Sequence, residues 1–134
     1  MADKNDYEAG MELRRKMWGG AGADARVKQA TTFNRPFEDF VTASVFGDVW
    51  NRPVLDHRLR SIVTLTALTA LSKPNQLKMH VQGALANGVT VDEIREIIIH
   101  TSLYSGIPTG VEAMNAAKEI LGTLGLDPAS QEKA

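Results

Sequence analysis

The sequence has no cysteine. A protein without thiols cannot form disulfides, thiolate zinc sites or iron–sulfur clusters, and it cannot run a thiol-based peroxidase reaction. Long apolar runs are also missing, because no stretch approaches the ~20 apolar residues of a membrane-spanning helix, and the opening MADKNDYEAG is not a signal peptide. These absences predict a cytoplasmic protein with no membrane partner and no thiol chemistry.

Neither sign of charge is in excess. The 134 residues include 15 lysines and arginines against 16 aspartates and glutamates, for a formal net charge of -1. Nucleic-acid binding needs clustered basic residues on one face, so we expect no nucleic-acid partner. The length and the hydrophobic fraction of 43% predict a single domain over residues 1–134, with its core at 37–124 and a frayed polar tail at 127–134.

Apolar residues recur at helical spacing along most of the chain, and no alternating strand pattern of useful length interrupts them. Start and stop signals divide the pattern into about six helices with short connections. The first helix ends at Gly19-Gly20, and residues 19–34 are predicted to form a loop with a short helical turn. The other signals are Pro36 in a first helical turn, Asp56 as an N-cap, Gly88 as a left-handed cap, and Thr90 with Glu93 as a capping box. We therefore predict an all-α fold.

The helix predicted from Asp56 to Leu71 is apolar on most of its faces. A helix of this kind is buried in a core or in a subunit interface. Since a six-helix monomer cannot easily cover every face, the pattern predicts a homo-oligomer with closed symmetry.

Three histidines, His57, His80 and His100, are the first candidates for chemistry. Their spacing matches no metal-binding pattern, so no metal site is expected. His80 shares a predicted helix face with Leu77 and Val81. It is either a satisfied core histidine or a proton donor or acceptor. His57 and His100 lie beside predicted helix ends, and we expect both to be structural.

Arg60 lies between Leu59 and Ile62 on the most apolar predicted helix. A partly buried arginine needs an anionic partner, and its planar fork suits a carboxylate. The partner is either an acidic residue of the chain or a substrate carboxylate. The internal candidates are Glu38, Asp39 and Glu93.

Four further residues are candidate substrate contacts: Trp50, Tyr104, Gly106 and Thr109. The connection from Gly106 to Pro108 opens a helix whose N-terminus is able to hold an anion, although such turns are common. Trp50 and Tyr104, like Met79, occur in patterns more typical of core than of pocket residues.

Several stretches carry a resemblance to a known family: FEDFVTASVFGDVWNRP, RSIVTLTALTAL, QLKMHVQGALANGVTVDEIREIIIHTSLYSGIP and AMNAAKEIL. Together they resemble the carboxymuconolactone decarboxylase family, and YEAGMELRRKMWGG is similar to that family's opening helix. The resemblance covers nearly the whole chain. It implies an all-α fold of the alkylhydroperoxidase-D-like type and a ring-shaped homohexameric assembly. It also implies a cofactor-free lyase that converts γ-carboxymuconolactone to the 3-oxoadipate enol-lactone in protocatechuate breakdown by the β-ketoadipate pathway.

The resemblance also implies roles for individual residues. Arg60 would clamp the carboxylate that is retained, and His80 would be the proton donor or the partner of the developing oxyanion. Backbone N–H groups of residues 106–109 would add further donors. Redox relatives in the superfamily use a glutamate and a C-x-x-C pair before the histidine, and the corresponding positions here hold Ser61, Lys73 and Gln76. A thiol peroxidase or disulfide reductase is therefore excluded.

Three positions depart from the decarboxylase pattern. Ala43, Gln76 and Asn115 stand where decarboxylases of the family often have a basic residue, a glutamate and a histidine. These departures leave two other functions open besides decarboxylation. One is a cofactor-free isomerase or hydratase acting on small carbonyl acids, and the other is a non-catalytic oligomeric binding protein.

Overall fold

The structure, a computed structural model, describes residues 4–127. Every regular element in this range is helical, which confirms the all-α prediction. The elements are α1 (Lys4–Gly22), α2 (Asp24–Gln29), α3 (Arg35–Phe40), a π-helix (Val41–Asp48), a 3-10 turn (Val49–Asn51), α4 (His57–Ala70), α5 (Pro74–Ala86), α6 (Val91–Ser105) and α7 (Ile107–Thr123). The predicted tail at 127–134 lies outside the described residues except for Asp127. Contacts divide the chain into two compact units, Met1–Arg60 and Ser61–Ala134.

In the first unit, α1 crosses the π-helix at two glycines. A Cβ atom at Gly10 would overlap the carbonyl oxygen of Thr42, and one at Gly47 would overlap that of Asp6. Only glycine allows two helix backbones to approach this closely. The predicted stop at Gly19 is present as a kink, because Gly19 has φ 68° and the helix resumes to Gly22.

Replacing Gly10 by alanine is expected to destabilise the protein by about 3 kcal/mol or more, since the obstacle is backbone and cannot rotate away. Gly122→Ala in α7 is the matched control, because nothing lies within 4 Å of a Cβ there. That variant should be neutral or more stable by about 0.5–1 kcal/mol. Urea unfolding measures both effects. Equal stability of the two variants would contradict the close helix crossing.

The first unit also holds a buried ion pair that the sequence pattern did not indicate. Arg14 Nη1 lies 3.3 Å from Glu38 Oε1 and donates to Thr42 Oγ1 at 2.7 Å. Arg26 reaches the other oxygen of Glu38 at 3.3 Å. This network joins α1, α2 and α3 to the π-helix, and it provides Glu38 with two cationic partners. Beside it lies an apolar cluster of Leu13, Met17, Phe46 and Trp50.

In the second unit, α5, α6 and α7 surround an apolar core with the part of α4 from Ser61 onward. The core residues are Leu65, Leu77, Val81, Ala84, Val89, Ile94, Ile98, Ala113, Ala116, Ala117 and Leu121. Two predicted caps are confirmed here. Gly88 has φ 92°, and Thr90 and Glu93 form the reciprocal capping box of α6 with hydrogen bonds of 2.9 and 3.1 Å.

The predicted N-cap of α4 is also confirmed, because Asp56 Oδ1 accepts a hydrogen bond from the Leu59 N–H at 2.9 Å. No helix within residues 4–127 is both long and apolar enough to cross a bilayer.

Candidate functional site

His80 lies on α5 in the second unit, on the helix face that carries the buried residues Leu77, Val81 and Ala84. The side chain is partly buried and its Nδ1 is shielded from solvent. Burial lowers the pKa of His80 from 6.5 to about 4. The imidazole is therefore neutral at pH 7, where it can donate an N–H hydrogen bond but is not a cationic acid.

The lowered pKa of His80 links stability to pH. The unfolded chain binds this proton at a higher pH than the folded chain, so stability that is complete above pH 6.5 is lost as the pH falls toward about 4. The loss approaches about 3 kcal/mol. We expect the wild type to lose this much more than His80→Gln when urea unfolding is compared at neutral pH and near pH 4. Parallel losses in the two proteins would show that His80 titrates normally.

Ser61 stands at the position that holds a glutamate in redox relatives, and it forms a structural hydrogen bond with Asn87. Ser61 is fully buried, and the Asn87 side-chain amide donates to Ser61 Oγ at 3.1 Å. This hydrogen bond joins α4 to the end of α5 inside the second unit. Lys73 and Gln76, at the other two positions, are exposed at the start of α5.

Arg60 belongs to the first unit, in the first turn of α4, and is partly buried as expected. Its Nε donates to the Leu55 carbonyl at 3.0 Å, and its Nη2 lies 3.5 Å from the Arg52 carbonyl. These contacts hold the guanidinium against the loop that precedes the helix. Glu38, one of the internal partners considered for Arg60, is bound by Arg14 and Arg26.

The four predicted substrate contacts lie in different surroundings. Trp50 is buried in the first unit with its ring 5.4 Å from that of Phe46, as in a core. Tyr104 is 82% exposed on α6, so its interpretation as a core residue is wrong. The same correction applies to Met79, which is exposed on α5.

Gly106 connects α6 to α7, and Thr109 lies in the first turn of α7. Gly106 has φ 103°, and Thr109 Oγ1 donates to the Gly106 carbonyl at 2.8 Å. The Ser105 hydroxyl lies 2.6 Å from Thr109 Oγ1. The threonine hydroxyl therefore fixes the start of α7.

A groove of about 620 Å³ lies between α4 and α6 in the second unit. Its lining residues are Ile62, Thr66, Ala70, Glu93, Glu96, Ile97, His100, Thr101, Tyr104 and Ser105. The rings of His100 and Tyr104 lie 5.6 Å apart along one side. His100 was expected to be structural and the groove was not predicted, although residues 93, 97, 100 and 104 follow one helical stripe.

The three residues that depart from the decarboxylase pattern lie on different helices and differ in burial. Ala43 is buried in the π-helix, whereas Gln76 and Asn115 are exposed on α5 and α7. Among residues 4–127, no group of three or more histidine, aspartate or glutamate side chains could hold a metal ion.

These features define a class of protein: a small all-helical chain without thiols, whose candidate chemistry rests on a neutral, partly buried histidine. The model of the carboxymuconolactone decarboxylase family matches residues 35–119. The chain is 37% identical over 133 residues, 99% of each protein, to a 4-carboxymuconolactone decarboxylase of Acinetobacter baylyi. It is 33% identical over 118 residues to a nitrosuccinic acid decarboxylase of Metarhizium robertsii, which covers 88% of this chain and 82% of that one.

The chain belongs to the carboxymuconolactone decarboxylase family, which confirms the resemblance seen in its sequence. The relatives from Acinetobacter baylyi and Metarhizium robertsii are both decarboxylases, and the chain is accordingly a carboxy-lyase. An uncharacterized 15.0 kDa protein of Paracoccus denitrificans is also similar, at 40% identity over 78 residues that cover 56% of this chain and 58% of that protein.

Proposed function

We propose that the protein decarboxylates 4-carboxymuconolactone, or a closely related lactone acid, in the β-ketoadipate pathway of protocatechuate breakdown. The observation that carries this proposal is the 37% identity to a 4-carboxymuconolactone decarboxylase over 99% of both chains. Carboxymuconolactone and nitrosuccinic acid are both dicarboxylic acids, and each keeps one carboxylate when it loses CO2. An enzyme for either acid has to bind the carboxylate that the product keeps. This shared requirement supports a dicarboxylic acid as the substrate of the present protein.

The reaction needs no electron sink beyond the substrate. The departing carboxylate leaves its electron pair on a carbon conjugated with the lactone carbonyl, so the charge spreads into a dienolate, which then takes up one proton. The protein has to bind the retained carboxylate and supply a hydrogen-bond donor for the lactone oxygen. One well-placed donor to a developing oxyanion lowers the barrier by about 3–4 kcal/mol.

His80 suits the donor role better than the acid role. With a pKa near 4 it is neutral at pH 7, so it carries an N–H but no readily released proton. In this proposal the imidazole N–H stabilises the dienolate oxygen, and Arg60 binds the retained carboxylate. Trp50, Tyr104, Gly106 and Thr109 remain proposed substrate contacts.

The test is the ultraviolet assay of enol-lactone formation and CO2 release, with enzymatically generated 4-carboxymuconolactone and with nitrosuccinic acid as the competing substrate. We expect turnover of the lactone with the higher kcat/KM. Faster turnover of nitrosuccinic acid would contradict the lactone assignment. Absence of turnover with either acid in folded protein would favour an isomerase, a hydratase or a binding protein.

The proposal includes self-assembly into a homo-oligomer, with a hexamer expected from the family. In the second unit, Val63 on α4 is 57% exposed and Leu103 on α6 is 73% exposed. Ile107 and Val111 of α7 are also exposed. Apolar surface of this extent is uncommon on monomers and marks an interface, here with further copies of the chain.

Leu103→Lys is expected to lower the assembled mass measured by light scattering, because it places a charge in the proposed interface. Glu112→Lys, at an exposed polar position of α7, is the control and should assemble as the wild type does. A wild-type mass of 14.6 kDa at micromolar concentration would contradict self-assembly.

A further inference from the structure

Asn87 follows the last residue of α5 and precedes Gly88, at the one place in the sequence where a glycine follows an asparagine. The side chain is 8% exposed, and its Nδ2 donates to Ser61 Oγ at 3.1 Å. Ser61 is itself fully buried on α4. The other amide atom, Asn87 Oδ1, is shielded from solvent and has no hydrogen-bond donor among the described residues. The hydrogen bond to Ser61 therefore holds this amide inside the second unit.

An asparagine that precedes glycine is chemically prone to deamidation, because glycine has no side chain to obstruct attack on the neighbouring amide. In this reaction the Gly88 nitrogen loses its proton and bonds to Asn87 Cγ, and the Cγ–Nδ2 bond breaks with release of ammonia. The succinimide ring that results then adds water. It opens either to aspartate or to isoaspartate, in which the backbone runs through the former side chain. Water is the only co-reactant, and no atom is oxidised or reduced.

The folded chain holds both reacting groups away from each other. The Gly88 N–H donates to the Leu85 carbonyl at 3.2 Å, so the attacking nitrogen keeps its proton and faces its own helix. Asn87 has ψ 10° and Gly88 has φ 92°, as the turn at the end of α5 requires. The leaving amide is bound to Ser61 on the neighbouring helix. Ring closure therefore requires the end of α5 to open.

We propose that Asn87 is a deamidation site that reacts only when the end of α5 separates from α4, and that the hydrogen bond to Ser61 keeps it unreactive in the folded chain. Helix ends open and close within seconds or faster, whereas deamidation is much slower. The rate of deamidation then follows the equilibrium population of the open form, as proteolysis of a transiently opened segment does.

Conversion at this position prevents the helix end from closing again. An aspartate would place a negative charge where Asn87 Oδ1 already lacks a donor, and burying such a charge costs more free energy than burying the amide. An isoaspartate lengthens the backbone just before the Gly88 N–H that bonds to Leu85. The site thus marks, irreversibly, those molecules in which α5 has opened.

Peptide mapping by mass spectrometry measures the conversion, since the amide and the acid differ in mass. In mildly alkaline buffer we expect Asn87 to convert on the order of 10²-fold faster in the chain unfolded by guanidinium than in the folded protein. Asn115, which is exposed on α7 and precedes alanine, is the internal control and should change far less. Equal rates for Asn87 in the two states, or no conversion in the unfolded chain, would overturn the site.

Two variants test the role of the hydrogen bond. Ser61→Ala should raise the rate of Asn87 conversion in folded protein about five- to tenfold, because it removes that bond from the closed form. Thr66→Ala is the matched control, since the Thr66 hydroxyl bonds to the Ile62 carbonyl of its own helix, α4. It should convert at the wild-type rate. A wild-type rate in Ser61→Ala would contradict the proposal.

A general loss of stability is separated from a local opening by Ile98→Val, which removes a methyl group from the core of the second unit. Denaturant is adjusted until Ser61→Ala and Ile98→Val have the same free energy of unfolding. We expect Asn87 to convert faster in Ser61→Ala under these conditions. Equal rates in the two variants would show that the reaction passes through global unfolding, and the local opening would be refuted.

The irreversible step is tested with Asn87→Asp, which carries the side chain of one product. Amide hydrogen exchange at Gly88 and Val89 should be about tenfold faster than in the wild type, because the end of α5 stays open. Wild-type exchange rates in this variant would overturn the claim that conversion prevents closure.

Discussion

Replacing His80 by alanine is expected to lower kcat for 4-carboxymuconolactone by about 10²–10³-fold, the effect of removing one donor from an oxyanion site. The reason is that the neutral imidazole N–H interacts with the charge that develops on the lactone oxygen, and alanine leaves that charge without this donor. His80→Gln keeps an N–H donor but cannot transfer a proton at neutral pH. It should recover part of the lost rate. The enol-lactone assay on purified variants measures both effects.

Asn75→Ala is the control for His80, because it removes an exposed side chain of the same helix, α5, that has no role in the proposed reaction. It should retain wild-type turnover. Wild-type kcat in His80→Ala, with an unchanged circular dichroism spectrum, would remove His80 from the mechanism. Equal and complete loss in the alanine and glutamine variants would instead favour proton transfer by the imidazole.

Replacing Arg60 by alanine is expected to lower kcat/KM by about 10²-fold, since a charge-assisted hydrogen bond to the retained carboxylate contributes up to about 3 kcal/mol. Arg60→Lys keeps the charge but loses the planar fork, so it should recover only part of the activity. Arg35→Ala, at an exposed arginine of α3, controls for the change in net charge. Initial rates over a range of substrate concentration separate KM from kcat.

An unchanged kcat/KM in Arg60→Ala would show that Arg60 has a structural role and does not bind the substrate. Its guanidinium holds the carbonyls of Leu55 and Arg52, so removing it also loosens the loop before α4. If Arg60→Ala lowered the unfolding free energy while kcat/KM stayed at the wild-type value, the side chain would be structural and not part of the substrate site.

Local signals account for the parts of the fold that the sequence predicted. The capping box at Thr90, the N-cap at Asp56 and the turn at Gly88 each depend on a few neighbouring residues, and all three are confirmed. The buried pair of Arg14 and Glu38 depends on residues 24 positions apart, so no local pattern reports it. The π-helix was predicted only as ordinary helix, because apolar spacing does not distinguish the two hydrogen-bonding patterns.

In the candidate site, too, local features could be predicted from the sequence and features that depend on tertiary contacts could not. The helical face of His80 follows from the spacing of Leu77 and Val81, but the lowered pKa of His80 depends on tertiary burial that spacing alone cannot measure. Tyr104 was named as a candidate substrate contact in a pattern more typical of the core, and it is exposed. An aromatic residue on the uncovered side of a helix has the same local pattern as one that faces the core.

The pH dependence of wild-type kcat/KM for 4-carboxymuconolactone tests the central claim most directly, namely that a neutral His80 supports decarboxylation. The account predicts clear turnover that is constant from about pH 8 down to about pH 5.5 and that falls only as the pH nears the His80 pKa of about 4. Light scattering and circular dichroism at each pH would show that the protein stays folded and assembled. An activity that fell through pH 6.5 in folded protein, or no turnover at any pH, would contradict the account.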